Sequence, residues 1–277
     1  MAINALIFDS GVGGFSILQH IRQAVPGLSS CYLMDNQLFP YGIQPDEVLI
    51  ERIVKLCLQV CGQQKIDLVV IACNTASTLA LPALREVLDI PVIGVVPAIK
   101  TAASQSRSKH IALLATPATI DRPYIDQLIS DHAQGCQVER IGSSELVKIA
   151  EELWFQEQHG LQEKKGAQEQ LNLSRLKEIL NPLLENSQID QLILGCTHFP
   201  LVSQHIAQLF PQVTLVDSGS AIARRICFIL QQLGYDLSDL QQDDQPHQLL
   251  ITADIDNKVA FLSACQRIAP YQSFNII

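Results

Sequence analysis

The chain has 277 residues, of which 48% are hydrophobic and 17% are charged, and its formal net charge is -9. This composition excludes a disordered chain, and the length allows two modest domains or one large one. The negative charge and the scattered lysines and arginines argue against nucleic acid binding, because phosphate contacts need clustered cations. Since no apolar stretch approaches the ~18 residues of a membrane span, membrane association is not expected either.

The first residues lead into an apolar run without a basic region or a cleavage site, so we expect a cytoplasmic protein. Its eight cysteines should then be mostly reduced. Cys57 and Cys61 stand four residues apart in a helical pattern at 47–63, a spacing that could place two metal ligands on one face. No second pair has a zinc-like spacing, so burial is favoured for both and no metal site is predicted.

Eight apolar runs with the length of buried strands alternate with amphipathic helical stretches. These runs lie at 3–8, 30–34, 67–72, 91–95, 110–115, 137–141, 190–195 and 213–216. Continuous apolar strands separated by helices are typical of parallel sheets covered on both faces, so the predicted class is α/β. A polar run at 156–165 is interpreted as a solvated helix or loop, and the run at 241–248 as a linker to a last strand and helix.

The second four strands resemble a copy of the first four. The runs DLVVIACNT at 67–75 and DQLILGCTH at 190–198 share an acidic residue, an apolar strand and a cysteine. The strand at 5–10 parallels the one at 111–116, and Pro97 and Ser220 follow the two cysteines at the same distance. Three matched pairs in the same order indicate an internal duplication, with two similar lobes that face each other.

Polar side chains follow several predicted strands directly. Ligands of open parallel sheets bind at the carboxyl ends of the strands, so chemistry is expected there. The residues at or just beyond such ends are Asp9, Ser10, Cys73, Thr116, Thr119 and Cys196.

Glycines 11, 13 and 14 lie between the first strand and the first helix, where free backbone N–H groups at a helix N-terminus favour an anion. Their spacing is not that of a dinucleotide-binding loop, and Asp9 would add a negative charge near a pyrophosphate. A small carboxylate or ammonium ligand is favoured, and a plain tight turn is the alternative. In a later loop, Tyr41 could form a wall or lid and Gly42 could allow a close backbone approach.

A cysteine at the end of a buried strand is more often a core residue than a nucleophile. Here both cysteines are followed by polar pairs, Asn74-Thr75 and Thr197-His198, which could bind a substrate or orient a thiol. His198 could favour the thiolate of Cys196, and Asp9 could orient a thiol or meet an ammonium group. The residues alone leave open an acid/base pair of thiols and two structural cysteines.

Four motifs then carry a specific resemblance: FDSGVGG at 8–14, PYG at 40–42, ACNTA at 72–76 and LGCTHFPL at 194–201. In this order they resemble the signature segments of the glutamate racemases, cofactor-independent members of the aspartate/glutamate racemase family. The similarity extends over nearly the whole chain and includes GVVPAIK at 94–100.

The resemblance implies two pseudo-symmetric, doubly wound parallel-sheet domains with the active site in the cleft between them. The predicted lobes are 1–97 plus 211–277, carrying Asp9 and Cys73, and 98–210, carrying Thr119 and Cys196. It also implies peptidoglycan precursors as the destination of D-glutamate, glutamate as the small-molecule partner, no cofactor and a homodimer.

The same resemblance implies roles for individual residues. Cys73 matches the cysteine that removes the α-proton of D-glutamate, and Cys196 matches the one that acts on L-glutamate. Asp9, His198 and Glu151 match auxiliary groups, with Glu151 near the thiol of the second lobe. The implied substrate contacts are Asp9, Ser10, Tyr41, Gly42, Asn74, Thr75, Thr116, Thr119, Thr197 and His198.

Two alternatives are kept. An aspartate racemase, or another amino-acid racemase of the superfamily, would share both cysteines and differ in the pocket beyond the α-carbon. A noncatalytic protein that binds small anions would have two buried cysteines that alkylate slowly, and it would bind its ligand without isotope exchange.

Overall fold

The computed structural model of the protein describes residues 3–159, 162–240 and 245–277. The strands are β1 (Ile3–Asp9), β2 (Leu28–Met34), β3 (Leu68–Ile71), β4 (Val92–Gly94), β5 (His110–Ala115), β6 (Gln137–Gly142), β7 (Gln191–Leu194), β8 (Thr214–Val216), β9 (His247–Ile251) and β10 (Tyr271–Ile276). The helices are α1 (Phe15–Ala24), α2 (Asp46–Gln63), α3 (Asn74–Val87), α4 (Ile99–Gln105), α5 (Pro117–Ile120), α6 (Pro123–His132), α7 (Ser144–His159), α8 (Gln162–Leu184), α9 (Ser203–Leu209), α10 (Gly219–Gln232) and α11 (Lys258–Gln266). None of the described helices combines the length and the apolar character that crossing a membrane requires.

The chain divides into two compact units. The first comprises Met1–Val95 and Gly219–Ile277, and the second comprises Val96–Ser218. The sequence-based division assigned residues from 211 onward to the first unit. Strand β8, however, pairs in parallel with β7, and backbone hydrogen bonds to β7 keep it in the second unit.

The first unit contains a six-stranded sheet in the order β10-β9-β2-β1-β3-β4, and all its pairs are parallel. On one face, Leu6 and Phe8 of β1 pack in a cluster that includes residues of α2 and α3. On the other face, the ring of Tyr32 stacks on Phe15 of α1, with 4.3 Å between ring centroids. Helices therefore cover both faces, which explains why all residues of β2 and all but Asn4 of β1 are buried.

The second unit contains a four-stranded parallel sheet in the order β6-β5-β7-β8. This is the order in which β2, β1, β3 and β4 lie in the first unit. Alternate residues Ile111 and Leu113 of β5 pack against α4 and α6, and Ala112 and Leu114 are buried on the opposite face. The predicted α/β class and the duplicated topology are confirmed.

All eight predicted strands are present, and the last strand and helix of the sequence prediction are β9 and α11. Residues 241–244 of the predicted linker lie outside the described residues, as do 160 and 161 within the polar run at 156–165. Strand β10 was not predicted. It is an edge strand beside β9 with mostly exposed side chains, so it lacks the apolar run that marks the buried strands.

The acidic residue that opens each repeated cysteine segment has a structural role. Asp67 and Asp190 lie at the amino ends of β3 and β7, at the opposite end of each strand from the cysteine. The carboxylate of Asp67 accepts a hydrogen bond from the backbone of Asn4 at 2.9 Å. Asp190 accepts three bonds, from the Ser106 hydroxyl at 2.7 Å and from the backbone N–H groups of Arg107 and Ser108 at 2.6 and 2.9 Å.

Replacing Asp190 with asparagine should lower the free energy of unfolding by about 1–2 kcal/mol at pH 7, after allowance for solvent screening of a partly exposed group. Burial alone would raise the pKa of Asp190, but the hydrogen bonds from Ser106, Ser108 and Arg107 outweigh it and lower the pKa. This contribution is therefore present above the ordinary aspartate pKa and is lost as the pH falls through the lowered value.

Thermal denaturation measures the effect, with an expected fall of about 2–4 °C in Tm at pH 7. Asp131→Asn is the matched control, because Asp131 is exposed and its bond to Gln127 lies within one helix. Equal melting temperatures for the two variants would contradict the structural role of Asp190.

Candidate active site

In each sheet, one pair of neighbouring strands, β1 and β3 or β5 and β7, leads directly into the residues that the sequence singles out. In the first unit, β1 ends at Asp9, and β3, its parallel neighbour, ends two residues before Cys73. After β1 the chain adds β2 on one side of β1, and it then crosses over to add β3 on the other side. The connections that leave β1 and β3 therefore run to opposite sides of the sheet. Such a switch point leaves an opening at the carboxyl ends of the strands, where ligands of this class of fold bind.

The thiol of Cys73 lies at the N-terminus of α3. Cys73 occupies the N-cap position, and its side chain is 6% exposed. The hydroxyl of Ser10, which follows β1, is 3.8 Å from the sulfur. A helix N-terminus and a nearby hydroxyl both favour a thiolate over a thiol, because each places positive charge or a donor near the sulfur.

The glycine-rich turn encloses Asp9. The backbone N–H of Gly11 donates to the Asp9 carboxylate at 2.9 Å, and the Gly11 carbonyl accepts the Tyr32 hydroxyl at 2.7 Å. A Cβ at Gly14 would come within 2.6 Å of the Tyr32 oxygen and 2.7 Å of the Asp9 Cβ, which leaves no room for a side chain. The predicted role of this turn in binding a small ligand remains a prediction, and the structure adds that the turn fixes a fully buried carboxylate.

Asn74 and Thr75 open α3 immediately after the thiol, and both are buried. The side-chain nitrogen of Asn74 has no hydrogen-bond partner although it is shielded from solvent. A buried donor without a partner costs about 1–3 kcal/mol. A ligand carboxylate at this end of the sheet would satisfy it.

Tyr41 and Gly42 form a short 3₁₀ turn, Tyr41–Ile43, and the tyrosine is buried. Its hydroxyl donates to the carboxylate of Asp35 at 2.6 Å. Sequence reasoning missed Asp35, although the signal was available: Asp35 follows β2 directly, and Asp9 is the last residue of the neighbouring β1.

The second unit repeats the arrangement. Strand β5 ends one residue before Thr116, and its neighbour β7 ends two residues before Cys196. The hydroxyl of Thr116 donates to that of Thr119 at 2.9 Å. Cys196 is 7% exposed, and a Cβ at the preceding Gly195 would come within 2.8 Å of Leu113, so the strand end is tightly packed.

His198 connects the second thiol to a carboxylate. Its Nδ1 is 3.9 Å from the sulfur of Cys196, and its Nε2 is 2.7 Å from a carboxylate oxygen of Glu151 on α7. Burial would lower the pKa of His198, but the bonds and charges of Cys196 and Glu151 raise it well above its ordinary value. The raised pKa favours the protonated imidazole, which places a positive charge 3.9 Å from the sulfur of Cys196.

Of the other six cysteines, Cys31, Cys57 and Cys265 are buried in the core. Burial raises the pKa of Cys31 to about 12, and it also raises the pKa of Cys57 and Cys265. These thiols stay protonated and serve as core residues, as predicted for Cys57. In the described part of the chain, no group of three or more His, Cys, Asp or Glu side chains is arranged to hold a metal ion.

The structure thus brings Asp9, Ser10, Cys73, Asn74 and Thr75 to the end of one sheet. It likewise brings Thr116, Thr119, Glu151, Cys196, Thr197 and His198 together within the second unit. The roles assigned to these residues from the sequence remain predictions.

Comparison with known proteins gives a consistent result. A model of the Asp/Glu/Hydantoin racemase family matches residues 13–226. The glutamate racemase of Sodalis glossinidius is 44% identical over 264 residues, which are 95% of this chain and 87% of that protein. The glutamate racemase of a Shewanella species (strain ANA-3) is 47% identical over 90% of this chain and 86% of that protein.

A solved structure is similar as well. Escherichia coli glutamate racemase, in complex with L-glutamate and the activator UDP-MurNAc-Ala, has a TM-score of 0.86 and 38% identity to this chain. The match covers 100% of this chain and 98% of that one.

Proposed function

Because the chain belongs to the Asp/Glu/Hydantoin racemase family, and within it to the glutamate racemases, we propose that it interconverts L- and D-glutamate by proton transfer through Cys73 and Cys196. One observation carries this proposal: four strands of each sheet share one order, and the equivalent strands β3 and β7 are each followed two residues later by a buried cysteine. Racemisation needs such a matched pair, because a base must act on one face of the α-carbon and an acid on the other.

In the proposed reaction, a cysteine thiolate takes the α-proton of glutamate and becomes a thiol. The second cysteine, which begins as a thiol, gives its proton to the opposite face and becomes a thiolate. Cys73 is the base for D-glutamate and Cys196 the base for L-glutamate, so the two exchange roles between directions. An unperturbed thiol has a pKa of ~8.5, so it is mostly protonated at neutral pH. The cysteine that acts as the base therefore needs neighbouring groups that favour the thiolate.

Those groups differ between the two units. Cys73 has the N-terminus of α3 and the Ser10 hydroxyl, whereas Cys196 has the imidazole of His198 with Glu151 behind it. The site is therefore chemically asymmetric although the strand order is duplicated.

Removal of the α-proton builds negative charge next to the α-carboxylate, and hydrogen-bond donors stabilise that charge. We assign this role to Ser10, Asn74, Thr75 and Thr197, and the unpartnered nitrogen of Asn74 supports it. Asp9 is assigned to the substrate ammonium, and Tyr41, Gly42, Thr116, Thr119 and His198 complete the set of substrate contacts. No step of this scheme uses a cofactor.

We propose that this activity supplies D-glutamate for peptidoglycan precursors and that the protein acts in the cytoplasm. A homodimer is proposed on the same grounds, and sedimentation equilibrium of the purified protein tests it. An aspartate racemase, or another amino-acid racemase of the superfamily, stays the second candidate, and the matching family model adds a hydantoin racemase to it.

A single assay separates these possibilities. L- and D-glutamate, aspartate and a substituted hydantoin are each incubated in deuterated water with no cofactor added, followed by chiral chromatography and mass spectrometry. We expect either glutamate enantiomer to reach an equal mixture with deuterium at the α-carbon, and the Cys73→Ala/Cys196→Ala double variant to do neither. Turnover of aspartate or hydantoin alone would establish the second candidate, and ligand binding without deuterium entry would establish a noncatalytic protein.

A further inference from the structure

A buried carboxylate lies beside the Cys73 half of the site. Asp35 follows β2 directly, its side chain is fully buried, and its backbone N–H donates to the Asp9 carbonyl at 2.9 Å. A charged group in such a position is costly unless cations and donors surround it. The donors to Asp35 come from separate elements of the first unit, so the carboxylate connects those elements.

Three side chains from three further parts of the first unit donate to Asp35. The guanidinium of Arg52 on α2 makes a bidentate contact with the carboxylate, with Nη2 at 2.8 Å from Oδ1 and Nε at 3.1 Å from Oδ2. The hydroxyl of Thr252, which follows β9, donates at 2.6 Å, and the hydroxyl of Tyr41 donates at 2.6 Å. Arg52 is the only cation among them, so it neutralises the carboxylate on which the other two donors converge.

The Tyr41 turn lies against the thiol-bearing helix. Tyr41 belongs to the same packed cluster as Cys73 and Phe8, and the turn Tyr41–Ile43 contacts α3. Burial, the charge of Asp35 and the proximity of Cys73 raise the pKa of Tyr41 well above its ordinary value. The phenol therefore stays protonated, and its proton is directed at Asp35.

We propose that Arg52 is a positioning residue for the substrate site: it holds Asp35, Asp35 holds the Tyr41 hydroxyl, and the Tyr41-Gly42 turn is thereby fixed for glutamate binding. The inference rests on the proposed function and adds to it a residue that lies outside the sequence motifs. Arg52 acts only through Asp35 and Tyr41 and takes no part in proton transfer.

Arg52→Lys and Tyr41→Phe test the proposal in the full-length protein. The lysine keeps the positive charge, so Asp35 is not left as an uncompensated buried charge. A lysine ammonium, however, does not reproduce the bidentate contact of the guanidinium. The phenylalanine keeps the ring and removes only the donor. We expect each variant to raise KM for glutamate about tenfold in both directions, with kcat within about threefold of the wild type.

A purely structural role gives a different result, because a loss of folded enzyme lowers the apparent kcat and leaves KM unchanged. The double variant Arg52→Lys/Tyr41→Phe should have a KM no higher than the larger of the two single values, since both changes release the same turn. The matched control is Arg85→Lys, because Arg85 is exposed and donates to the Val92 carbonyl, and its KM should equal that of the wild type.

An unchanged KM in Arg52→Lys, or a double variant whose KM is the product of the single effects, would overturn the proposal. Both results require an active wild-type enzyme. A wild type that incorporates no deuterium into glutamate would instead overturn the proposed function.

Discussion

Serine in place of either Cys73 or Cys196 should lower the rate of glutamate racemisation by at least about 10³-fold and leave the fold intact. A serine hydroxyl fills nearly the same space but does not ionise near neutral pH, so one face of the α-carbon loses its acid or base. The measurement is the approach to an equal mixture of enantiomers by chiral chromatography, together with circular dichroism of each variant.

The single-thiol variants also separate the roles of the two cysteines. With Cys73 intact and Cys196 replaced, D-glutamate should lose its α-proton to solvent and regain it on the same face. Deuterium then enters D-glutamate without inversion, whereas L-glutamate exchanges only in the variant that keeps Cys196. Exchange of the opposite enantiomer in each case would reverse the assignment.

Matched controls are available in each unit. Cys61→Ser changes a half-buried thiol of α2, and Cys136→Ser changes one just before β6, at the amino end of the second sheet. Both controls should racemise glutamate at nearly the wild-type rate. Racemisation within tenfold of wild type by either active-site variant would refute the two-thiol mechanism.

The equal free energies of the two enantiomers limit how the chemical difference between the two cysteines can affect the kinetic constants. Enantiomers have equal free energies, so kcat/KM must be equal in the two directions for the wild type and for every variant. The difference between the groups around Cys73 and Cys196 therefore changes kcat and KM in parallel for one enantiomer and cannot favour one product.

Glu151→Gln should lower kcat/KM about 10- to 100-fold at pH 8, with a smaller loss at lower pH. The carboxylate of Glu151 raises the pKa of His198 against the opposing effect of burial, so its removal lowers that pKa. The imidazole then loses its charge at a lower pH, and the alkaline limit of activity moves down with it. The measurement is the pH profile of kcat/KM.

The free energy of unfolding should also fall as the pH rises, because of the same histidine. Because the pKa of His198 is raised in the folded protein, its contribution is fully present below the ordinary histidine pKa and is lost as the pH rises through the folded value. The alkaline loss of stability should therefore be smaller in Glu151→Gln than in the wild type.

The neighbouring Glu152→Gln is the matched control. Glu152 is exposed and forms an ion pair with Arg175, with 3.6 Å between the charged atoms. Its substitution removes the same charge one residue away and should leave the pH profile unchanged. Identical profiles for the two variants would show that Glu151 does not act through His198.

The sequence by itself determined the eight strands of the duplicated core, the α/β class and the position of both cysteines. These features depend on local patterns: a strand buried on both faces must be apolar throughout, and the residue after it must lie at the carboxyl edge of the sheet. The edge strand β10 lacks such a pattern and was missed.

Only the tertiary structure decided which polar groups meet. Glu151 lies 47 positions from His198 in the sequence, and Thr252 lies 217 positions from Asp35, yet both pairs are hydrogen-bonded. It also showed that the carboxylate of Asp190, part of the repeated cysteine segment, accepts hydrogen bonds from Ser106, Arg107 and Ser108. The physical reason is that periodicity reports which face of an element is buried, whereas hydrogen bonds between buried polar groups depend on how separate elements pack.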